Sequence, residues 1–170
     1  MRKYLCPDYY FDTYREITPA FLLEEGIRYL ILDIDNTLAP YEQPEPDEQI
    51  LGWLAALDAV GIRAAFVSNN KAPRVELFNA KIGIPMFPEG KKPLRRGTVR
   101  AMEAMSAIPE QTATLGDQIF TDVWAGRRIG ARTILVPPIK DKRDPFTRFK
   151  RLLERPIMRY YRKRKERVSK

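Results

Sequence analysis

The sequence predicts an α/β domain of Rossmann-like plan, a parallel sheet of about five strands flanked by helices. Three observations carry this expectation. Short apolar runs of strand length alternate with stretches of helical period, the pattern of βα units. Three of those runs end on polar residues, Asp33 to Asp35, Ser68 to Asn70 and Gly116 to Asp117, and in a parallel sheet all carboxyl ends face one way, so such residues converge on one crevice. With 170 residues, 44% of them hydrophobic, the chain has the size of one globular domain with a proper core, and 14 prolines supply many turns.

The elements follow in order. Residues 1–25 read as an N-terminal extension packing on a single domain that runs to residue 139. IRYLILDID, residues 27–35, is the first strand, mostly apolar until it meets two acids. A Pro/Glu-rich loop, APYEQPEPDEQ, leads to ILGWLAALDAV, where Ile50, Leu51, Leu54 and Leu57 recur at helical spacing and Gly61 stops the helix. RAAFVSNN is the second strand, and the next helix runs from about Pro73, suited to a first turn, to Lys81. PMF, residues 85–87, is a short third strand, followed by LRRGTVRAMEAMS, a helix weakened by Gly97. TATLGD is the fourth strand, Ile119 to Arg128 the last helix of the domain, and ARTILVPP the fifth strand, closed by prolines.

Composition excludes whole reaction classes. The chain has no histidine, so no Ser-His-Asp triad, imidazole base, phosphohistidine or histidine-ligated metal is possible. The single cysteine, Cys6, rules out an internal disulfide framework, and the residue six places on is Asp12 where a thiolate phosphatase needs arginine. Carboxylates, hydroxyls, lysine and hard metal ions remain. No apolar run approaches the roughly 18 to 20 residues of a membrane span, and the first residues lack the apolar core of a secretory signal. The expected location is therefore the reducing cytoplasm. The net charge of +8 is a property of the tail, because residues 140–170 hold 14 Lys/Arg against 4 Asp/Glu while the first 139 residues hold 16 against 18.

Four short motifs stand at strand ends or in the loops that follow them: DIDNT at 33–37, SNN at 68–70, KKP at 91–93 and GDQIFTD at 116–122. In this order they resemble the haloacid-dehalogenase (HAD) superfamily of aspartate-nucleophile phosphohydrolases. Phosphate monoesters hydrolyse extremely slowly in water, and a covalent intermediate divides that barrier. The resemblance implies that Asp33 attacks phosphorus, while Asp35 protonates the leaving oxygen and then activates water. It further implies that Ser68 hydrogen-bonds a phosphoryl oxygen, that Thr37 and Asn69 belong to the phosphate-binding set, and that the motif lysine neutralises charge on the transferring group. GKKP leaves Lys91 and Lys92 open, with Lys92 preferred because it precedes Pro93. The implied cofactor is Mg2+, which takes all-oxygen ligands: Asp33, the Asp35 carbonyl and Asp117, with Asp122 as a further carboxylate.

Within the superfamily, Asp35 argues for phosphoryl chemistry, because dehalogenases lack the second aspartate. The DKTGT of transport ATPases is absent. Some 30 residues separate Thr37 from Ser68 and 23 separate Ser68 from Lys92, which leaves little room for a cap. An open site suits a phosphate presented on something large, such as a lipid surface or a macromolecule. The tail DPFTRFKRLLERPIMRYYRKRKERVSK interleaves Phe146, Phe149, Leu152, Leu153, Ile157, Tyr160 and Tyr161 with basic residues, and Pro156 is expected to kink or interrupt its helix. It suits an anionic membrane surface, with packing on the domain or nucleic-acid binding as less favoured alternatives. The capless layout, LILDIDNTLAP, the PDYY segment and the basic C-terminus together resemble the YqeG-type HAD proteins, relatives of phosphatidylglycerophosphate phosphatases. That narrower resemblance implies a phospholipid substrate, hydrolysed to phosphatidylglycerol and phosphate by a protein peripheral on the inner face of the membrane. A phosphatase for protein or nucleic-acid phosphates, or a non-catalytic nucleic-acid or ribosome-binding module, are the alternatives.

Overall fold

A twisted parallel sheet organises the chain, and its strand order explains where the motif residues meet. The computed structural model describes residues 5–140 and 153–161. Its elements are β1 (Tyr9–Tyr10), a 3-10 turn (Tyr14–Glu16), α1 (Pro19–Glu24), β2 (Tyr29–Leu32), α2 (Glu48–Ala59), β3 (Arg63–Val67), α3 (Ala72–Asn79), β4 (Met86–Phe87), α4 (Arg95–Met105), β5 (Thr112–Gly116), a π-type turn (Ile119–Val123) running into α5 (Trp124–Arg128), and β6 (Arg132–Leu135). Residues 153–161 form a further helix, α6. Among the described residues the sheet has six strands in the order β1-β6-β5-β2-β3-β4, and every pairing is parallel.

Register fixes the site. Leu32 lies level with Phe66 on β3 and with Leu115 on β5, so Asp33, Ser68 and Asp117, each one or two residues further on, emerge at the same carboxyl edge. The Asp33 amide still donates to the Leu115 carbonyl at 2.9 Å, which ties the first acid to the end of the ladder. β2 is covered on both faces, as its nearly unbroken apolar run requires. Leu30, Leu32 and Ile34 pack on one side with Ile50, Leu57, Val75 and Phe78 from α2 and α3, and Ile31 packs on the other with Ala101 and Met105 of α4. Full burial of each such aliphatic side chain contributes about 1.5–3 kcal/mol, and that rigidity is what holds two acids at a fixed point.

The five expected strands and the intervening helices are all present. Asp47 caps α2, its carboxylate accepting from the Ile50 amide at 2.9 Å, and Gly61 ends the helical segment at φ +78°. α3 starts at Ala72 and stops at Asn79, short of Lys81. Gly97 weakens α4 less than it positions it: a Cβ there would fall 2.9 Å from Val67 Cγ1 and 3.0 Å from Gly90 Cα, so the glycine lets the helix close on β3 and on the loop that carries Lys92. The helix expected over 119–128 begins instead as a π-type turn, with the Val123 amide reaching back five residues to the Gln118 carbonyl. The sixth strand, Tyr9–Tyr10, joins the edge against β6; two aromatic residues flanked by loop carry no period from which a strand is read.

Of the kink or interruption expected at Pro156, the interruption does not occur: α6 is helical through that residue. Its Ile157 and Tyr161 are buried with Cys6, Ile119, Val123 and Leu135, while Leu153 and Tyr160 are exposed. Phe146, Phe149 and Leu152 lie outside the described residues. Among the described residues no helix is long and apolar enough to cross a membrane, and no domain is inserted on either side of β3.

Candidate active site

At the carboxyl edge of β2, β3 and β5 opens a cleft of about 340 Å³. Its walls include Asp33, Asp35, Ser68, Asn69, Lys92 and Asp122. Asp33 is nine-tenths buried. The Thr37 hydroxyl donates to Asp33 Oδ2 at 3.1 Å and Lys92 Nζ donates to Oδ1 at 2.6 Å, so both oxygens are oriented. Between them the chain reverses through Asn36 at φ 64°, a left-handed conformation that asparagine tolerates better than most residues. Thr37 sits behind Asp33 and does not line the cleft.

Asp35 points differently. Its Oδ1 pairs with Arg74 Nη2 at 3.1 Å, and its Oδ2 accepts from Asn70 Nδ2 at 3.0 Å. Asn70 from the β3–α3 connection and Arg74 from the first turn of α3 therefore grip the second acid. Ser68, fully buried, accepts the Asn70 amide on its Oγ at 3.0 Å, which closes the turn that presents Asn70.

Lys92, not Lys91, is the lysine of the site. Lys92 is buried and its Nζ lies 2.6 Å from both Asp33 Oδ1 and Asp122 Oδ1, whereas Lys91 is exposed. Asn69 holds Lys92 in place through the backbone: its Nδ2 donates to the Lys92 carbonyl at 3.1 Å and its Oδ1 accepts the Lys92 amide at 2.6 Å. That carboxamide is thus engaged with the main chain, and Asn69 serves the lysine. Asp122 is fixed from several directions, its Oδ2 accepting from the Gln118 amide at 3.2 Å and from the Thr121 hydroxyl at 3.1 Å.

Burial and charge act against each other here. Burial raises the Asp33 carboxyl, Lys92 pulls it back and Asp122 pushes it up again, leaving it at about 6. For Lys92 burial alone would lower the ammonium, but Asp122 and Asp33 outweigh it and hold it above its ordinary value. Asp33, Asp117 and Asp122, all buried, each bring one carboxylate oxygen within 4.8 Å of the others. Three carboxylates thus meet around the Lys92 ammonium, which pairs with Asp33 and Asp122, and burial raises the cost of holding like charges together. An all-oxygen set of this kind fits a hard divalent cation. The Asp35 side chain stands outside the group, turned to Arg74 and Asn70.

Sequence reasoning missed Arg74, Asn70 as the partner of Asp35, and the steric part of Gly116, discussed below. Asn70 belonged to a motif already singled out; Arg74 is one of 30 basic residues and carries no local signal.

Residues 91–147 match the HAD-hydrolase-like family model. The Bacillus subtilis (strain 168) protein named "Probable phosphatase YqeG" is 35% identical over 158 residues, covering 93% of this chain and 92% of that one. The chloroplastic phosphatidylglycerophosphate phosphatase 1 of Chlamydomonas reinhardtii is 31% identical over 143 residues, which span 78% of this chain and 52% of the algal protein. A Vibrio cholerae structure solved under the name of a 3-deoxy-D-manno-octulosonate 8-phosphate phosphatase shares the fold, with a TM-score of 0.55 at 20% identity over 75% of this chain and 74% of that one. A parallel sheet with this acidic cluster at its carboxyl edge is the layout of a HAD phosphohydrolase. The chain belongs to the HAD superfamily of phosphatases, in the group of the Bacillus YqeG protein.

Proposed function

We propose that the protein is a Mg2+-dependent phosphatase that removes the terminal phosphate of phosphatidylglycerophosphate at the surface of an anionic membrane. The observation that carries this reading is the open cleft: Asp33 and Asp35 face it from the loop after β2, and no inserted domain stands over it. A phosphate standing on a lipid surface can reach such a site, and the similarity to an algal phosphatidylglycerophosphate phosphatase supports that substrate.

Asp33 attacks phosphorus. A carboxylate O–P bond forms, the ester P–O bond breaks, and the electron pair goes to the leaving oxygen, which takes the proton of Asp35. Water then attacks the aspartyl phosphate, gives a proton to Asp35, and releases Asp33 and inorganic phosphate. Asp33, Asp117 and Asp122, with the Asp35 carbonyl, would hold the Mg2+, whose part is to offset the charge of the phosphoryl group. Ser68 binds a phosphoryl oxygen. Lys92, already on Asp33, adds positive charge where the transferring group lies, with Asn69 fixing its backbone and Thr37 orienting the nucleophile.

Residues 140–170 supply the cationic contact with the membrane, at about 1 kcal/mol for each basic residue near the surface. The test is phosphate release by purified protein with Mg2+ from phosphatidylglycerophosphate in anionic vesicles. It is compared with soluble phosphoesters, phosphorylated proteins and phosphorylated nucleic-acid ends. The vesicle substrate should be hydrolysed most efficiently, and high salt should weaken vesicle binding. Efficient turnover of soluble esters with none from the lipid would end this reading, and preference for a protein or nucleic-acid phosphate would replace it.

A further inference from the structure

We infer that Arg74 is the positioning residue of the acid/base Asp35, and that it joins this acid to the open loop above the cleft. The inference rests on the reading of Asp35 as proton donor. Arg74 lies in the first turn of α3 and belongs to none of the four motifs. Its guanidinium makes three contacts at once. Nη2 pairs with Asp35 Oδ1 at 3.1 Å, Nη1 donates to the Pro44 carbonyl at 3.0 Å, and the group stands 5.2 Å from the centre of the Phe78 ring.

Each contact has a consequence. Phe78 is fully buried, so the ring is a fixed platform for the planar guanidinium. Both partners of the ion pair are only 13% exposed in their side chains, which strengthens the charge-assisted bond compared with a surface pair. One Asp35 oxygen is held by Arg74 and the other by Asn70, so the carboxyl cannot rotate freely about its Cβ–Cγ bond. The Pro44 contact fixes the segment after Pro40, which carries Tyr41 on the rim of the cleft. In a site with no inserted domain, this one side chain therefore links where the acid points to where the rim loop stands. An acid misplaced by about 1 Å loses much of its effect, because proton transfer needs hydrogen-bond distance to the leaving oxygen.

Leaving-group dependence separates a positioning role from a merely structural one. An alkyl phosphate such as glycerol 3-phosphate needs its leaving oxygen protonated, and p-nitrophenyl phosphate does not. The ratio kcat/KM reports steps up to formation of the aspartyl phosphate, so it is measured for both esters with wild type, Asp35→Asn, Arg74→Ala and Arg74→Lys in the presence of Mg2+. Arg74→Ala should lose roughly 10- to 100-fold on the alkyl ester and under about 3-fold on the aryl ester, a part of the 10²–10⁴ that general acid catalysis supplies. Added guanidinium should restore the alkyl rate of Arg74→Ala, and Arg74→Lys, which keeps the charge and should fold, should fall between the two. Equal losses on both esters in Arg74→Ala and Arg74→Lys, with Asp35→Asn selective for the alkyl ester, would overturn the positioning role while leaving Asp35 as the acid. If Asp35→Asn is itself unselective, the acid assignment falls and the role of Arg74 falls with it.

Discussion

Gly116 and Asp122 compete for one volume: a Cβ built on Gly116 would lie 2.1 Å from Asp122 Cγ and 2.4 Å from its Oδ2. The carboxylate that anchors Lys92 crosses directly over the last residue of β5, and only a residue without a side chain permits the crossing. Gly116→Ala should therefore push Asp122 off Lys92 and away from Asp33 and Asp117. The expected loss is about 1–3 kcal/mol of stability from overpacking, together with a fall in phosphatase activity larger than the stability change explains. Urea denaturation and kcat/KM on one soluble ester measure the two separately.

Lys92 is the cation between two buried carboxylates, so its removal leaves charge without a partner. Lys92→Ala should cost about 3–5 kcal/mol in the presence of a chelator. With a saturating divalent cation the loss should shrink, because that ion would offset the same carboxylates and stabilises the folded state by mass action. Chemical denaturation of both proteins, with EDTA and with Mg2+, checks the difference. A loss unchanged by metal would place the cation elsewhere. Asp117→Asn should reduce the stabilisation that Mg2+ gives the otherwise unaltered protein.

Asp33 carries a pH signature as well as a chemical one. Its folded carboxyl sits at about 6, above its ordinary value of 3.8, chiefly because it is buried. The folded state therefore binds more protons than the unfolded state between these values. The contribution of Asp33 to stability is present on the acid side and is lost as pH rises through about 6. Asn does not titrate. The unfolding free energy of wild type minus that of Asp33→Asn should fall between pH 4 and 6 in chelator and level off above. Phosphate release by the variant should vanish at every pH.

The sequence disclosed the sheet well because β2, β3, β5 and β6 are apolar runs of strand length, the first three ending on polar groups and β6 on prolines, a signal written in consecutive residues. Asp33, Asp35, Ser68 and Lys92 were legible for the same reason, each standing within a short motif. What escaped depends on residues far apart in the chain. Arg74 meets Asp35 across 39 positions, and no local pattern distinguishes it from other basic side chains on helices. Asn69 lines the cleft, and its second task, the hydrogen bonds to the backbone of Lys92, is set by how closely the loop after β4 approaches β3. Gly90 allows that approach, since a Cβ there would lie 2.7 Å from Val67 Cγ1. The edge strand Tyr9–Tyr10 was invisible because β6 supplies the order its two residues lack.

A hydrogen bond joins the C-terminal helix to the turn that carries part of the site. Glu154 Oε1 accepts the Ile119 amide at 2.9 Å, at the start of the turn that carries Thr121 and Asp122. That amide lies in the first turn, where no carbonyl of the turn can serve it. Ile157, three residues on, is 5% exposed against Ile119, Val123 and Leu135 and fastens the helix that presents Glu154. Ile157→Ala should cost about 2 kcal/mol or more through the cavity it leaves. Glu154→Ala should cost about 1–3 kcal/mol by leaving a buried amide unmet, and it should also lower kcat/KM, because Asp122 loses the anchor of its turn. Glu154→Gln keeps a carbonyl oxygen at the same reach and should recover most of both. If Glu154→Ala lowers stability alone, with kcat/KM unchanged for the folded fraction, then α6 acts only as packing and the turn holds Asp122 without it.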